Sequence, residues 1–251
     1  MKLTKVTSET LTDPELQEKQ LVWQYFQHRT DGFFVEVGAN DPRAGSQTWL
    51  LEQNGWCGLL VEPQSALCEA LRRERRRSQV FQVACSAPEK RGDAVLHIAD
   101  LNGFSTLEQQ ADTHGVSFVR TETVRLCTLD ELLVEAGSPR VDFLSIDVEG
   151  MELDVLRGFS LKTHRPALLL VEDTVRSLEK HHYLTRHGYK LVKRTTLNNW
   201  YVPKECLFQL TTWIERIELS RKMFLGLPIR KLRMALRRQS SHKCGKLATP
   251  E

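Results

Sequence analysis

Short apolar runs alternate with amphipathic stretches over most of the chain, and nearly every run stops at an acid or a glycine. "FFVEV" (residues 33–37) lies between Asp31-Gly32 and Gly38, "GLLVE" (58–62) ends on Glu62, and "VFQVACS" (80–86) follows. Residues 141–146 lead into Asp147, and "ALLLVE" (167–172), introduced by Arg165-Pro166, ends on Glu172. Nearly continuous runs of this length belong to strands buried on both faces, as in a parallel sheet. Helices are expected between them. One starts at Asp13-Pro14, with Leu16, Gln20, Trp23 and Gln27 in a row and Leu16, Trp23 and Phe26 as apolar bulk, covering the sheet near the first strand. Others span 46–53, stopped by Asn54-Gly55, and the stretch opened by Pro63 with Ala66, Leu67, Ala70 and Leu71. Thr128-Leu129-Asp130-Glu131 matches a capping box, in which the Thr and Glu side chains satisfy each other's backbone donors. Its helix ends at Gly137; two more are expected over 151–156 and 177–187. Residues 92–125 fit only irregular strands, best at "LHIA" and "TVRLCTL", while "YKLVK" and "NWYVP" resemble an antiparallel pair. Strands alternating with helices predict a doubly wound, mostly parallel α/β sheet.

At 251 residues the chain suits one large α/β domain with a small appendage. The divisions expected are a helical extension over 1–30, the main domain over 31–212, a basic amphipathic tail over 213–238 and a disordered end over 239–251. Residues 216–238 hold eight Lys and Arg against one acid, Glu218, so the net charge of +3 conceals a body of net −4. That distribution argues against a nucleic-acid-binding core. The first residues lack the apolar stretch of a signal peptide and no run is long enough to cross a bilayer, so a cytoplasmic location is expected. The six scattered cysteines, without a C-x-x-C pair, read as reduced structural thiols.

Ligands of doubly wound sheets bind at the carboxyl ends of the strands. Here those ends carry Glu36, Gly38, Asn40 and Asp41, then Glu62, then Asp147 and Glu149, then Glu172. A dinucleotide needs G-x-G-x-x-G, but two glycines are replaced, by Asn40 and Arg43, and Asp41 would face the phosphates with like charge. A nicotinamide oxidoreductase is disfavoured. S-adenosylmethionine (SAM) carries a sulfonium and an ammonium and no phosphate, so acids at strand ends suit it. Glu62, 24 residues after Gly38, is placed to accept hydrogen bonds from ribose hydroxyls, and such charge-assisted bonds are about twice as strong as neutral ones. Taken singly, each acid is as readily a helix cap or a solvated terminus; the order and spacing make the case.

"FFVEVGAND", "GWCGLLVEP", "LDELL", "VDFLSIDVEGMELDVLRGF" and "PALLLVE" together resemble the FkbM family of SAM-dependent methyltransferases, from about Gly32 to Pro203. The resemblance implies a class I (Rossmann-like) methyltransferase fold and O-methylation, often of sugar hydroxyls in glycans. Glu36, Gly38, Asn40, Asp41, Glu62 and Asp147 would then hold SAM, with Ala84 and Cys85 bordering the adenine. "GFSTL" (103–107) would line the transfer cleft. Many members carry a further glycine soon after G-A-N, where this chain has Asp41-Pro42-Arg43 and then Gly45.

A hydroxyl nucleophile needs a general base or a metal that lowers its pKa. Asp147 and Glu149 flank Val148 and share a face of an extended strand end. With Glu172 they would form an oxygen-only set for Mg²⁺ or another divalent metal. Alternatively Glu172 or Asp173 is a metal-free base, with His182 of the His181-His182 pair in reserve, or these acids only orient SAM and cap a helix. Asn198, Asn199 and Trp200 would offer amides and an aromatic face to a sugar, or form a plain hairpin turn. The run Arg72 to Arg77 reads as a solvated helix end, favoured by the macrodipole. The tail suits a membrane surface, a partner or its own domain. A glycan-binding protein without turnover, built on the same fold, is the competing function.

Overall fold

The computed structural model describes residues 14–99, 105, 107, 117–173, 177–195, 197–207, 213–221, 224 and 228. Helix α1 (Pro14–Tyr25) precedes β1 (Phe33–Val37), α2 (Trp49–Gln53), β2 (Cys57–Val61), α3 (Ser65–Glu74) and β3 (Ser78–Phe81). Then come β4 (Ala84–Cys85), β5 (Gly92–Ala99), β6 (Phe118–Cys127), α4 (Leu129–Glu135), β7 (Phe143–Ile146), α5 (Glu152–Arg157) and α6 (Leu161–His164). The chain continues through β8 (Leu168–Glu172), α7 (Glu179–Arg186), β9 (Tyr189–Thr195), β10 (Asn198–Pro203) and α8 (Trp213–Ser220).

Seven strands form the main sheet in the order β3-β2-β1-β7-β8-β10-β9. β1 pairs in parallel with β2 and β7, and β7 in parallel with β8, whereas β10 runs antiparallel to both β8 and β9. The order reverses between β1 and β7, so their carboxyl ends splay and leave a crevice. Strand alternation divides the core into two layers. Val35, Val37, Leu59, Leu144, Ile146, Leu169 and Val171 face α4, α5 and α7 through Leu132, Leu133, Val155, Leu156 and Leu184. On the opposite face Phe34, Leu60, Phe143, Leu168, Leu170 and Trp200 meet Val22, Leu51, Trp56 and Leu71. Leu144 is fully buried in the central strand pair, and truncating it to alanine costs about 2–5 kcal/mol.

The capping box is present, with Thr128 Oγ1 accepting the Glu131 N–H at 3.2 Å and Glu131 Oε2 accepting the Thr128 N–H at 2.9 Å. Three expectations need correction. The run 80–86 is not one strand: exposed Gln82 and the bend at Val83 end β3, and Ala84–Cys85 joins a second sheet, order β4-β6-β5. Within the stretch 92–125, the described residues 92–99 and 118–125 are not irregular but belong to the long antiparallel pair β5–β6, joined along Gly92↔Leu126 to Ala99↔Phe118. Most of β6 is exposed, so it lacks the apolar run that betrays a buried strand. Finally, α1 buries Glu18, Lys19 and Val22 rather than the row through Leu16 and Trp23, while Phe26, just past its end, is buried as expected. Two of those buried positions are charged, which hides the face from an apolar count.

Candidate functional site

The crevice begins at Gly38, whose φ is +85° and where an added Cβ would lie 1.7 Å from the Asp147 carbonyl oxygen. Glycine is required by the close approach of the β1 and β7 strand ends. The Gly38 and Ala39 N–H groups both donate to the Val61 carbonyl, which ties β1 to the end of β2. Asn40 follows in the left-handed region at φ 47°, a conformation asparagine tolerates better than other side chains.

Glu36 is buried in this wall, and its carboxylate is committed to the protein. It accepts from Ser46 Oγ (2.8 Å), the Gln47 N–H (2.6 Å) and Thr48 Oγ1 (2.6 Å). Arg75 lies behind it, 3.8 Å from Glu36 and donating at 2.6 Å to Glu52, and is itself 1% exposed. The arginine run is therefore not a uniformly solvated face; its third arginine is the cation that neutralises two interior acids. Asp41 also turns inward on its own loop, accepting the N–H groups of Arg43 and Ala44 at 2.8 Å each. It does not line the crevice.

Glu62 does. Oε2 accepts the Asn40 N–H and Oε1 the Gln64 N–H, each at 2.9 Å, so the carboxylate is aimed by the backbone while lone pairs remain for a ligand. Burial pushes its pKa up to about 7 against the lowering effect of these two bonds. The surrounding cleft encloses about 1110 Å³ between protein atoms, counting its open mouth. Leu67, Val83, Ala84, Cys85, Leu96 and Leu107 supply an apolar side suited to a flat heterocycle. Of "GFSTL", only Ser105 and Leu107 fall within the described residues; both line the cleft, and Ser105 Oγ accepts from Gln64 Nε2 at 3.0 Å. At the other end, Asn40 Oδ1 and Gln47 Oε1 are buried acceptors without a protein donor. Two unfilled acceptors beside Gly38 fit the ammonium of SAM.

Opposite them stand the acids of β7 and β8. Asp147 and Glu149 line the cleft, whereas Glu172 stands behind Asp147 and shares a hydrogen bond with it. Asp147 is pushed well above the usual carboxyl range by burial, then by the charges of Glu172 and Glu149 and by that shared bond. Its side chain is exposed to the cleft, so water tempers both the burial and the like-charge contributions. Glu149 is raised to about 7 by burial, then by Glu172 and Glu152. It sits at φ 52°, followed by Gly150 at 108°, in a turn held from below. There Glu152 accepts the Gly150 N–H at 2.8 Å and Lys180 Nζ at 3.0 Å, and Lys180 also donates to the Glu172 carbonyl at 2.9 Å. Among the described residues no three His, Cys, Asp or Glu side chains are arranged to hold a metal ion. Asp147, Glu149 and Glu172 act on one another by charge without forming such a group.

Of the expected sugar contacts only Asn198 lines the cleft; Trp200 is wholly buried and Asn199 is 1% exposed. Trp200 Nε1 and Asn198 Nδ2 donate to Glu18 of α1, at 3.1 and 2.8 Å, so α1 fastens the start of β10 to the rim. Asp173 is buried, accepting from Asn199 Nδ2 at 3.1 Å and 3.4 Å from Lys180, and is not a free base. Neither His181 nor His182 lines the cleft; His181 meets the Tyr201 hydroxyl at 3.3 Å and burial lowers its pKa. Gln47, Gln64 and Arg75 escaped sequence reasoning because loop amides and one arginine among five carry no pattern. Glu152 and Lys180 could have been sought as partners for the "DVEG" turn.

A five-strand parallel sheet extended by an antiparallel strand inserted before the edge, with its acids at the switch point, defines the class I methyltransferase fold. The model of the methyltransferase FkbM domain matches residues 36–191, and the chain belongs to this family. Among solved structures it is similar to the N-terminal domain of human METTL16 in complex with SAH (13% identity, 79% of this chain and 73% of that one, TM-score 0.42). It is also similar to a precorrin-6y C5,15-methyltransferase from Geobacter metallireducens (14%, 79% and 91%, TM-score 0.40). At these scores neither likeness bears on substrate or residue roles, and the assignment rests on the family model. A comparison with curated proteins gives no match.

Proposed function

We propose that this methyltransferase uses SAM to methylate a hydroxyl group, on an acceptor of the carbohydrate class. The observation that carries the reading is the meeting, in one cleft, of the Glu62 acceptor with Asp147 and Glu149. Bound SAM supplies an electrophilic methyl group on a sulfonium. Glu62 takes the ribose hydroxyls, the apolar side formed with Ala84 and Cys85 takes the adenine, and Asn40 and Gln47 take the ammonium. Glu149, with a pKa of about 7, is matched to remove the acceptor proton near neutrality, and burial, then Glu172 and Glu152, hold it in a setting that favours proton uptake. Asn198 offers the acceptor an amide at the rim. Displacement at a methyl carbon needs in-line placement above all, so positioning supplies much of the acceleration.

Transfer of labelled methyl from SAM to a panel of glycans, proteins and RNA, with calorimetry of SAM binding in parallel, tests this. Turnover on glycan hydroxyls alone is the expected result. SAM binding without turnover on any acceptor would favour the binding-protein alternative, and turnover confined to RNA or protein would overturn the acceptor class.

A further inference from the structure

Glu18 does not line the cleft, yet two residues that do are held by its carboxylate. It faces inward from α1 and is 4% exposed. Oε1 accepts from Thr195 Oγ1 and, at 3.1 Å, from Trp200 Nε1, while Oε2 accepts from Asn198 Nδ2 at 2.8 Å. Gln47 is the fourth side chain bonded to it. Burial pushes the Glu18 pKa up, and the bonds from Thr195, Asn198, Trp200 and Gln47 pull it back. Lys19, the next residue of α1, donates to the Arg43 carbonyl at 2.8 Å, so the helix also holds the loop that leads to Gln47.

A carboxylate only accepts hydrogen bonds, so an amide that meets one presents its NH2 and turns its carbonyl away. Gln47 Nε2 also faces the Gly45 carbonyl, at 3.5 Å, and its Oε1 is buried in the cleft wall with no protein donor. Asn198 stands opposite Glu172 in the β8–β10 register, at the acid end of the cleft. We propose that Glu18 is a positioning residue that sets both amides with their carbonyl oxygens toward the cleft. Gln47 then meets the ammonium of SAM, and Asn198 meets a hydroxyl of the acceptor beside the one that is methylated. The Asn198 half rests on the acceptor class proposed above; the Gln47 half does not. Without the carboxylate, either end of each amide could face the ligand, and an NH2 would meet the ammonium with like polarity.

Calorimetry of SAM binding, with methyl transfer to a glycan panel in parallel, tests this on Glu18→Gln, Gln47→Glu and the two combined. Glu18→Gln keeps the shape but replaces one acceptor oxygen by an NH2, so an amide has to turn round. SAM affinity is expected to fall about tenfold, the worth of one hydrogen bond to a charged group. The KM of a glycan that turns over should rise with kcat kept, as for a contact made equally in the ground and transition states. Gln47→Glu sets two carboxylates against each other and should weaken SAM binding, although an anion beside an ammonium would by charge alone tighten it. Combining Glu18→Gln with Gln47→Glu restores the match of donor and acceptor and should recover SAM affinity, a coupling that a general fold defect does not show. Unchanged SAM affinity in Glu18→Gln, a loss that the combined variant leaves in place, or a fall in kcat at constant KM overturns the proposal. If Glu18→Gln fails to fold, Gln47→Glu decides: weaker SAM binding supports the proposal and tighter binding overturns it. SAM binding needs no acceptor, so absence of glycan turnover would strike the acceptor class and the Asn198 half, while calorimetry still decides the Gln47 half.

Discussion

The two walls of the cleft use the same residue types to opposite ends. On the β1 side, Glu36 and Glu52 are sealed in the core, but Arg75, Ser46, Thr48 and the N–H groups of Gln47 and Arg77 meet every oxygen with a donor. On the β7–β8 side, Asp147, Glu149 and Glu172 crowd together, with Lys180 spent on Glu152 and the Glu172 carbonyl. The first wall is a clamp and the second a store of proton affinity. Partners, rather than position at a strand end, decide which an acid becomes.

The sharpest way to break that comparison is Arg75→Met. It leaves two buried carboxylates without a cation, and breaking such a pair costs about 3–5 kcal/mol, to be read from urea denaturation. Survival of the fold at unchanged stability would mean that the clamp does not hold. Next comes Glu149→Gln. On the other wall a lost charge should not destabilise the fold and should cut kcat about 100-fold, the ordinary contribution of a general base. The limb of the kcat–pH profile near 7 should vanish with it. An unchanged profile would move the base elsewhere in the acid cluster.

The sheet was legible because its strands are continuous apolar runs, and the switch-point acids followed from their ends. What the runs could not reveal was orientation. Glu36 and Glu62 end adjacent strands with similar neighbours, yet one is turned into the 46–48 loop and the other toward the cleft. Trp200 and Asn199 look exposed at a hairpin, but strand alternation and Glu18 of α1 draw them inward. β5 and β6 were missed as regular strands because a sheet with one wet face spends few apolar residues.

Glu62 sharpens the comparison from the cofactor side. Its two aimed oxygens serve a ligand best when ionised, and it titrates at about 7. SAM affinity should therefore rise as pH passes through 7, and Glu62→Gln should weaken it about tenfold and remove the pH dependence, since a bond to a charged acceptor exceeds a neutral one. Calorimetry across pH separates this from the kcat effect of Glu149.

The smallest effect concerns stability. Glu62 and Glu149 bind protons more tightly folded than unfolded, with values of about 7 against 4.5. Their contribution is fully present below pH 4.5 and is lost as pH rises through about 7, because the folded chain then surrenders protons that the unfolded chain has already lost. Asp147, shifted in the same direction, adds to the slope. Asp147→Asn removes one of three crowded charges, so at neutral pH it should stabilise the protein, by about 1 kcal/mol or less given the open cleft, and should flatten the fall in urea midpoint between acid and neutral pH. The same substitution type on the opposite wall, Glu36→Gln, strips Arg75 of a partner and should destabilise. If both substitutions move the midpoint in one direction, the two walls are not electrostatic opposites and the assignment of the reaction to the β7–β8 side loses its physical ground.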